Sequence, residues 1–314
     1  MAENTHSLDD LLRSAVKKGD VDLANQYIQA GANINKTKDK ITNLLIAVIS
    51  SNQKMVKFLL EKGAEPNNKP NWTVISPFNL AISGKNTEII KDLLSAGADI
   101  NKINYDTEET ALSQSIEDIQ KGKGTALFKF LLENGADPNI PNGIGLTPLR
   151  LAIATKNTEI IKDLLIAGVD INQLDIDDHT ALYAATLSKE NKLFHFFLEN
   201  GADPNKPTGY GQTPLQAALD IKNTEKILYL LLAGAKPPKD HKSELLTKMQ
   251  NEVNILQGVA VLTAIRPESE MYGNVYDHLD AQSIKDLYDY ARKRGGKKRR
   301  KTIRRRKTAN SRKH

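Results

Sequence analysis

Most of this chain carries its apolar residues at helical rather than strand spacing. In Asn157-Thr158-Glu159-Ile160-Ile161-Lys162-Asp163-Leu164-Leu165 they stand at i, i+1, i+4 and i+5, one face of a helix, and Gly168 follows where a left-handed residue can end it. A shorter run precedes it, Gly145-Leu146-Thr147-Pro148-Leu149-Arg150-Leu151-Ala152. The Thr147 hydroxyl can cap a helix, and Pro148 suits the first helical position, where a missing N–H leaves no bond unmade. The pattern predicts a helix pair.

That pair recurs. Closing glycines stand at Gly31, Gly63, Gly97, Gly135, Gly168, Gly201 and Gly234, separated by 32, 34, 38, 33, 33 and 33 residues. Helix starts are predicted at Thr42, Ser76, Thr110, Thr147, Thr180 and Thr213, each 21 residues before its glycine except Thr110, which is 25 before. A period near 33, opened by Thr-Pro-Leu and closed by Gly-Ala-Asp, resembles the ankyrin repeat over roughly residues 7–238. The resemblance implies an all-α solenoid of seven helix-turn-helix repeats with short β-hairpin fingers. The first repeat, Leu8 to Asn35, lacks Thr-Pro and opens on polar Ser7, Asp9 and Asp10, as an N-terminal cap should. We therefore divide the chain into a repeat domain (1–238), a helical cap region (239–294) and a disordered basic tail (295–314). Within the cap region, residues 243–257 read as a helix with Leu245, Leu246, Met249, Val253 and Leu256 on one face; residues 259–265 are apolar and ambiguous, and a last helix is expected up to about Arg292.

The copies alternate. Repeats three, five and seven share Lys-Asn-Thr-Glu and a proline at the helix start, and the fingers of repeats five and seven are Gly/Pro-rich, whereas those of four and six carry Asp and Glu. The duplicated unit reads as a pair of repeats. Repeat four also holds four extra residues around Gly122-Lys123-Gly124-Thr125, expected to lengthen its inter-helix turn; their spacing does not meet that of a phosphate-binding loop. Two departures from the family pattern stand out. The His that follows Thr-Pro-Leu and links neighbouring repeats is replaced by Leu45, Asn79, Ser113, Arg150, Tyr183 and Gln216, which puts inter-repeat stability in question. Glu108 and Asp178 replace the finger glycine, which predicts less regular fingers.

Composition narrows the function. There is no Cys, so disulfides, thiolate catalysis and cysteine-ligated zinc are absent. No secretory signal opens the sequence and no run approaches a membrane span, which leads us to expect an intracellular protein, cytoplasmic or nuclear, with no membrane partner. The six histidines are scattered without metal-ligand or triad spacing, and pairs such as Glu108–Glu109 and Asp177–Asp178 lack calcium-loop spacing. No catalytic, cofactor or metal residue is assigned; the expectation is a non-enzymatic scaffold.

The concave face and finger tips of the solenoid then become the candidate site for a protein partner. Carrying over the ankyrin register, exposed finger positions include Trp72, Ile75, Asp106, Glu109, Ile144, Ile176, Asp177 and Tyr210. Large apolar side chains at such tips are the usual anchors of protein interfaces, although they can also pack sideways on the next finger. The charge distribution adds a second surface. Fourteen of the 44 Lys and Arg lie from Arg292 onward, where no acid occurs, leaving a net of −8 in the preceding 291 residues. The tail clusters Lys297, Lys298, Arg299, Arg300, Lys301 and Arg304, Arg305, Arg306, Lys307 suit an import receptor, nucleic acid, or the acidic body itself. Gly295-Gly296 before this Lys/Arg/Thr-rich end resembles the C-termini of giant DNA virus proteins. Two alternatives to the scaffold are a nucleic-acid-binding or nuclear-targeted protein acting through the tail, and an adaptor that recruits partners to a modifying enzyme through residues 243–291.

Overall fold

A computed structural model describes residues 7–39, 41–67, 76–104, 106–189, 191–238, 244–251 and 253–254. Among these, the named elements are fourteen α-helices in seven pairs: α1 (Leu8–Lys18) and α2 (Val21–Gln29), α3 (Asn43–Ile49) and α4 (Gln53–Glu61), α5 (Pro77–Ser83) and α6 (Thr87–Ser95), α7 (Ala111–Gln120) and α8 (Ala126–Glu133), α9 (Pro148–Ala154) and α10 (Thr158–Ile166), α11 (Ala181–Leu187) and α12 (Asn191–Glu199), α13 (Pro214–Asp220) and α14 (Thr224–Leu232). The chain is all-α, an ankyrin-type solenoid of helix pairs. It divides into two compact units, residues 1–170 and 171–314.

Each first helix starts where its hydroxyl cap predicts. Thr42, Ser76, Thr110, Thr147, Thr180 and Thr213 have extended backbones and accept the N–H three residues on, and Thr213 completes a reciprocal capping box with Gln216. Helices of seven residues do not persist alone in water, so packing must hold them. In the first unit α3 packs on α1 and α5, α4 on α2 and α6, and α7 on α9; in the second, α11 packs on α13. Second helices such as α4 and α10 bury one apolar stripe, Met55, Val56 and Leu59 in the one and Ile160, Ile161 and Leu164 in the other, whereas α14 is buried all round from Lys226 to Leu232. The seven closing glycines all have positive φ, between 88° and 100°, the left-handed state that a side chain disfavours.

The four extra residues of repeat four do more than lengthen a turn. Its first helix, α7, has 10 residues where α5 has 7, so most of the insertion is wound into helix, and the turn is closed by Gly122 and Gly124 at positive φ. Lys123 and Lys85 both pair with Asp118, at 2.9 and 3.0 Å. The adjoining cavity, about 100 Å³, is smaller than the several hundred Å³ of a typical small-molecule site. In the cap region, residues 244–251 and 253–254 are helical, with Leu246, Met249 and Val253 buried as the stripe predicted. Residues 255–314, including the expected last helix and the basic tail, lie outside the described residues.

Candidate functional site

The fingers connecting the helix pairs are built from short polar side chains that satisfy the backbone locally. Asp175 Oδ1 accepts the N–H groups of Asp177 and His179, and Asn142 Oδ1 accepts that of Leu146. Antiparallel bridges close the base of two fingers, Lys38 with Ile41 and Asn104 with Glu109. Glu108 and Asp178 correct the expectation of irregular fingers. Both adopt the left-handed backbone, at φ 57° and 58°, as Gly145 and Gly211 do at 87° and 82°. The turn keeps its geometry and bears the strain of a side chain there.

Neighbouring fingers are fastened in pairs. In the first unit the Gly143 N–H donates to the Glu108 carbonyl; in the second, the Gly209 N–H donates to the Asp178 carbonyl at 2.9 Å. The approach needs glycine on the donating side. A Cβ on Gly143 would stand 2.8 Å from Glu108 Cβ and 3.1 Å from its carbonyl oxygen, and one on Gly209 would stand 2.5 Å from the Asp178 carboxyl carbon. The alternation of acidic with Gly/Pro-rich fingers is thus the chemistry of a two-finger unit.

What joins repeats in place of the missing His is a ladder of asparagines four residues after each closing glycine but the last, Gly234. Asn67 Nδ2 donates to the Gly97 carbonyl at 2.7 Å while its Oδ1 accepts the Asp99 N–H at 3.1 Å. Asn35 and Asn139 in the first unit and Asn205 in the second repeat both bonds, and Asn101 and Asn172 accept the N–H of Asp137 and Asp203. The recurrence of Gly-x3-Asn in the sequence was the available signal. Repeat six adds a link of its own, for Tyr183 Oη donates to Gln212 Oε1 at 2.6 Å and the ring lies 4.8 Å from that of His179.

The structure sorts the tip residues as follows. Ile144 is 51% exposed, Ile176 55% and Tyr210 80%, and Asp106 and Asp177 are exposed beside them. None of the three apolar tips is buried against a neighbouring finger. Glu109 differs from the expectation of an exposed position: it is half-buried and bonded to Glu117 of α7, and burial followed by the Glu117 charge raises its pKa to about 7. Trp72, Ile75 and the tail residues Lys297 to Lys307 lie outside the described residues. Sequence reasoning missed the exposed helix-end residues Ile49 and Ile166, 60% and 84% exposed, because the amphipathic pattern assigns aliphatic residues inward. Asp175, Asp177 and His179 present ligand atoms within 4.8 Å of one another, but the Asx turn centred on Asp175 accounts for that arrangement locally.

Sequence reasoning also missed Lys226, which is fully buried. Its Nζ donates to the carbonyls of Ala185 (3.1 Å), Thr186 (2.8 Å) and Ser188, and lies 5.4 Å from the centre of the Phe194 ring. Desolvation lowers its pKa. The sequence signal is slight, a Lys in Asn223-Thr224-Glu225-Lys226 where repeats three and five have Ile89 and Ile160.

Comparison with known proteins agrees with this architecture. A family model described as ankyrin repeats (3 copies) matches residues 12–104, 112–208 and 156–241. An ankyrin repeat protein of fowlpox virus is 28% identical over 159 residues, 48% of this chain and 45% of the relative. One from Borreliella burgdorferi is 33% identical over 145 residues, 44% of this chain and 62% of the relative. The chain thus spans less than two thirds of either relative. Among solved structures, the ankyrin repeat domain of Bcl-3 matches 73% of this chain and 99% of its own length, with a TM-score of 0.54 at 23% identity.

Proposed function

We infer the function of this chain from its membership: it belongs to the ankyrin-repeat family, whose repeats are protein–protein interaction modules. The specific reading is a non-enzymatic scaffold that captures a protein partner on its finger tips and the adjoining helix face. The observation that carries it is the exposure of Tyr210 and Ile144, large apolar side chains held on hydrogen-bonded finger pairs where a loop needs only polar residues. An anchor of this kind is effective because its support is already ordered before binding, so little further entropy is lost. Among the described residues no helix is long and apolar enough to cross a membrane.

The test is affinity purification with the immobilised full chain, its Tyr210→Ala variant and its Ile144→Ala variant side by side, followed by mass spectrometry. A partner retained by the parent and depleted at least tenfold by Tyr210→Ala, with the helical circular dichroism unchanged, is the expected result. Retention of every partner at equal yield by both variants would remove the finger tips from the reading.

A further inference from the structure

Helix α14 carries the pattern of its counterparts with the faces exchanged. α6 and α10 read Thr-Glu-Ile-Ile-Lys-Asp-Leu-Leu, the first Ile buried and the Lys exposed, and that Lys pairs with the Glu three residues before it, Lys91 with Glu88 at 3.0 Å and Lys162 with Glu159 at 2.7 Å. α14 reads Thr-Glu-Lys-Ile-Leu-Tyr-Leu-Leu. Its cation has moved from the outer face to the inner one, and the outer positions are Leu228 and Tyr229, both buried. Leu232 is buried as well, where the equivalent Ile166 is 84% exposed.

The exchange gives α14 partners on both sides. Released from a lysine on its own helix, Glu225 accepts a hydrogen bond from Asn191 Nδ2 at 2.8 Å and lies 3.4 Å from His195 Nε2, which holds the first half of α12. Lys226 donates to the carbonyls that end α11. The turn between α11 and α12 is thus gripped from the next repeat; Ser51, Lys85, Lys156 and Lys222 close the corresponding turns in left-handed backbone, and no described residue of this one does. After repeat seven, the helical residues 244–251 and 253–254 carry the buried stripe Leu246, Met249 and Val253. We propose that α14 is a two-sided clamp: Leu246, Met249 and Val253 cover its outer residues Leu228, Tyr229 and Leu232, and loss of that cover releases Glu225 and Lys226 from repeat six, so that the turn of repeat six and the C-terminal helix open together. A nine-residue helix does not persist in water with an apolar face uncovered, and a buried ammonium leaves with the helix that delivers it. Ile176 and Tyr210 stand on the same two repeats, so these tips are held in place only while the clamp is closed. A ligand that captured the C-terminal helix would withdraw them.

Amide hydrogen exchange of the full chain, read by peptide mass spectrometry, tests the clamp with two variants: Met249→Ala thins the cover and Lys226→Met removes the grip. Met249→Ala is expected to speed exchange at least about fivefold in residues 181–200 as well as in 224–232, with residues 148–166 at the parent's rate. Lys226→Met should act from the other side, speeding exchange in 181–200 and, through α14, in 244–254, because coupling between two sites is reciprocal. Faster exchange in 224–254 with 181–200 unchanged in Met249→Ala, or no change in either segment, would overturn the proposal. So would an equal rise in 148–166, which reports opening of the whole array rather than of this clamp. Val253→Ala removes less volume and gives the same readout if Met249→Ala does not fold. None of these outcomes depends on whether Tyr210 captures a partner.

Discussion

Repeats three and six close the same turn by different chemistry. At the end of α5, Lys85 adopts the left-handed backbone, φ 54°, which turns its own N–H onto the Ile82 carbonyl and that of Asn86 onto Ala81. At the end of α11 the chain leaves instead through an extended Ser188, φ −65° and ψ 148°. The equivalent carbonyls, Thr186 and Ala185, are then bonded by the Lys226 ammonium, delivered from α14 about 40 residues away in sequence. One solution is local, strains a single residue and costs about 1 kcal/mol. The other is long-range and buries a cation that the carbonyls, an aromatic ring and the nearby Glu225 charge compensate. A helix C-terminus needs donors; it is indifferent to their origin.

The largest test of that contrast is Lys226→Met, which keeps the volume and removes every donor. It should lower stability by about 2–4 kcal/mol, because buried carbonyls lose their partners, and the loss is read as a lower urea midpoint. An unchanged midpoint would mean that the α11 terminus finds other donors. A second comparison, between the two finger pairs, sharpens with Gly143→Ala. Its Cβ meets the Glu108 Cβ at 2.8 Å and the carbonyl oxygen at 3.1 Å, whereas Gly209→Ala meets the Asp178 carboxyl carbon, which can rotate away, and the Asp178 Cβ at 2.6 Å, which cannot. We expect a loss of about 1–2 kcal/mol for the first and at least as much for the second in parallel thermal melts. A clearly smaller loss for Gly209→Ala would show that the second finger pair yields by a backbone shift.

The pairs also differ in proton linkage. Glu109, with its pKa raised to about 7, binds a proton more tightly folded than unfolded, where an ordinary Glu titrates near 4.3. Its contribution to stability is therefore present below about pH 4 and lost as pH rises toward about 7, with no further change above. Denaturation of the parent and of Glu109→Gln at pH 5 and pH 8 should show the parent losing more stability across that interval. Parallel losses would place the shared proton elsewhere. The smallest effect concerns the local turn: Ser51→Gly relieves a left-handed serine at φ 51° and should raise stability by about 0.5–1 kcal/mol, while Gly63→Ala, at φ 91°, should lower it by a similar amount.

Much of the fold was legible because its signals are local. A hydroxyl cap, Pro at the first helical position, stripes such as Ile89-Ile90-Leu93 and a closing glycine each act within about a dozen residues, and seven repetitions make register errors difficult. The exposed tips Ile144, Ile176 and Tyr210 followed from the register alone. Glu109 escaped because its partner Glu117 lies two helical turns on, and whether the two carboxyls meet depends on how the finger folds back over α7.

By itself the sequence determined the helix pairs, their number and order, and the two kinds of finger, since these rest on backbone propensity and on the periodicity of apolar residues. Only the tertiary structure decided what joins them: the asparagine ladder in place of histidine, the glycine that lets one finger touch the next, and the burial of Lys226 against α11. Those bonds connect residues about 30 to 40 positions apart. Their existence depends on the stacking of one repeat on another, which brings together groups that no local pattern relates.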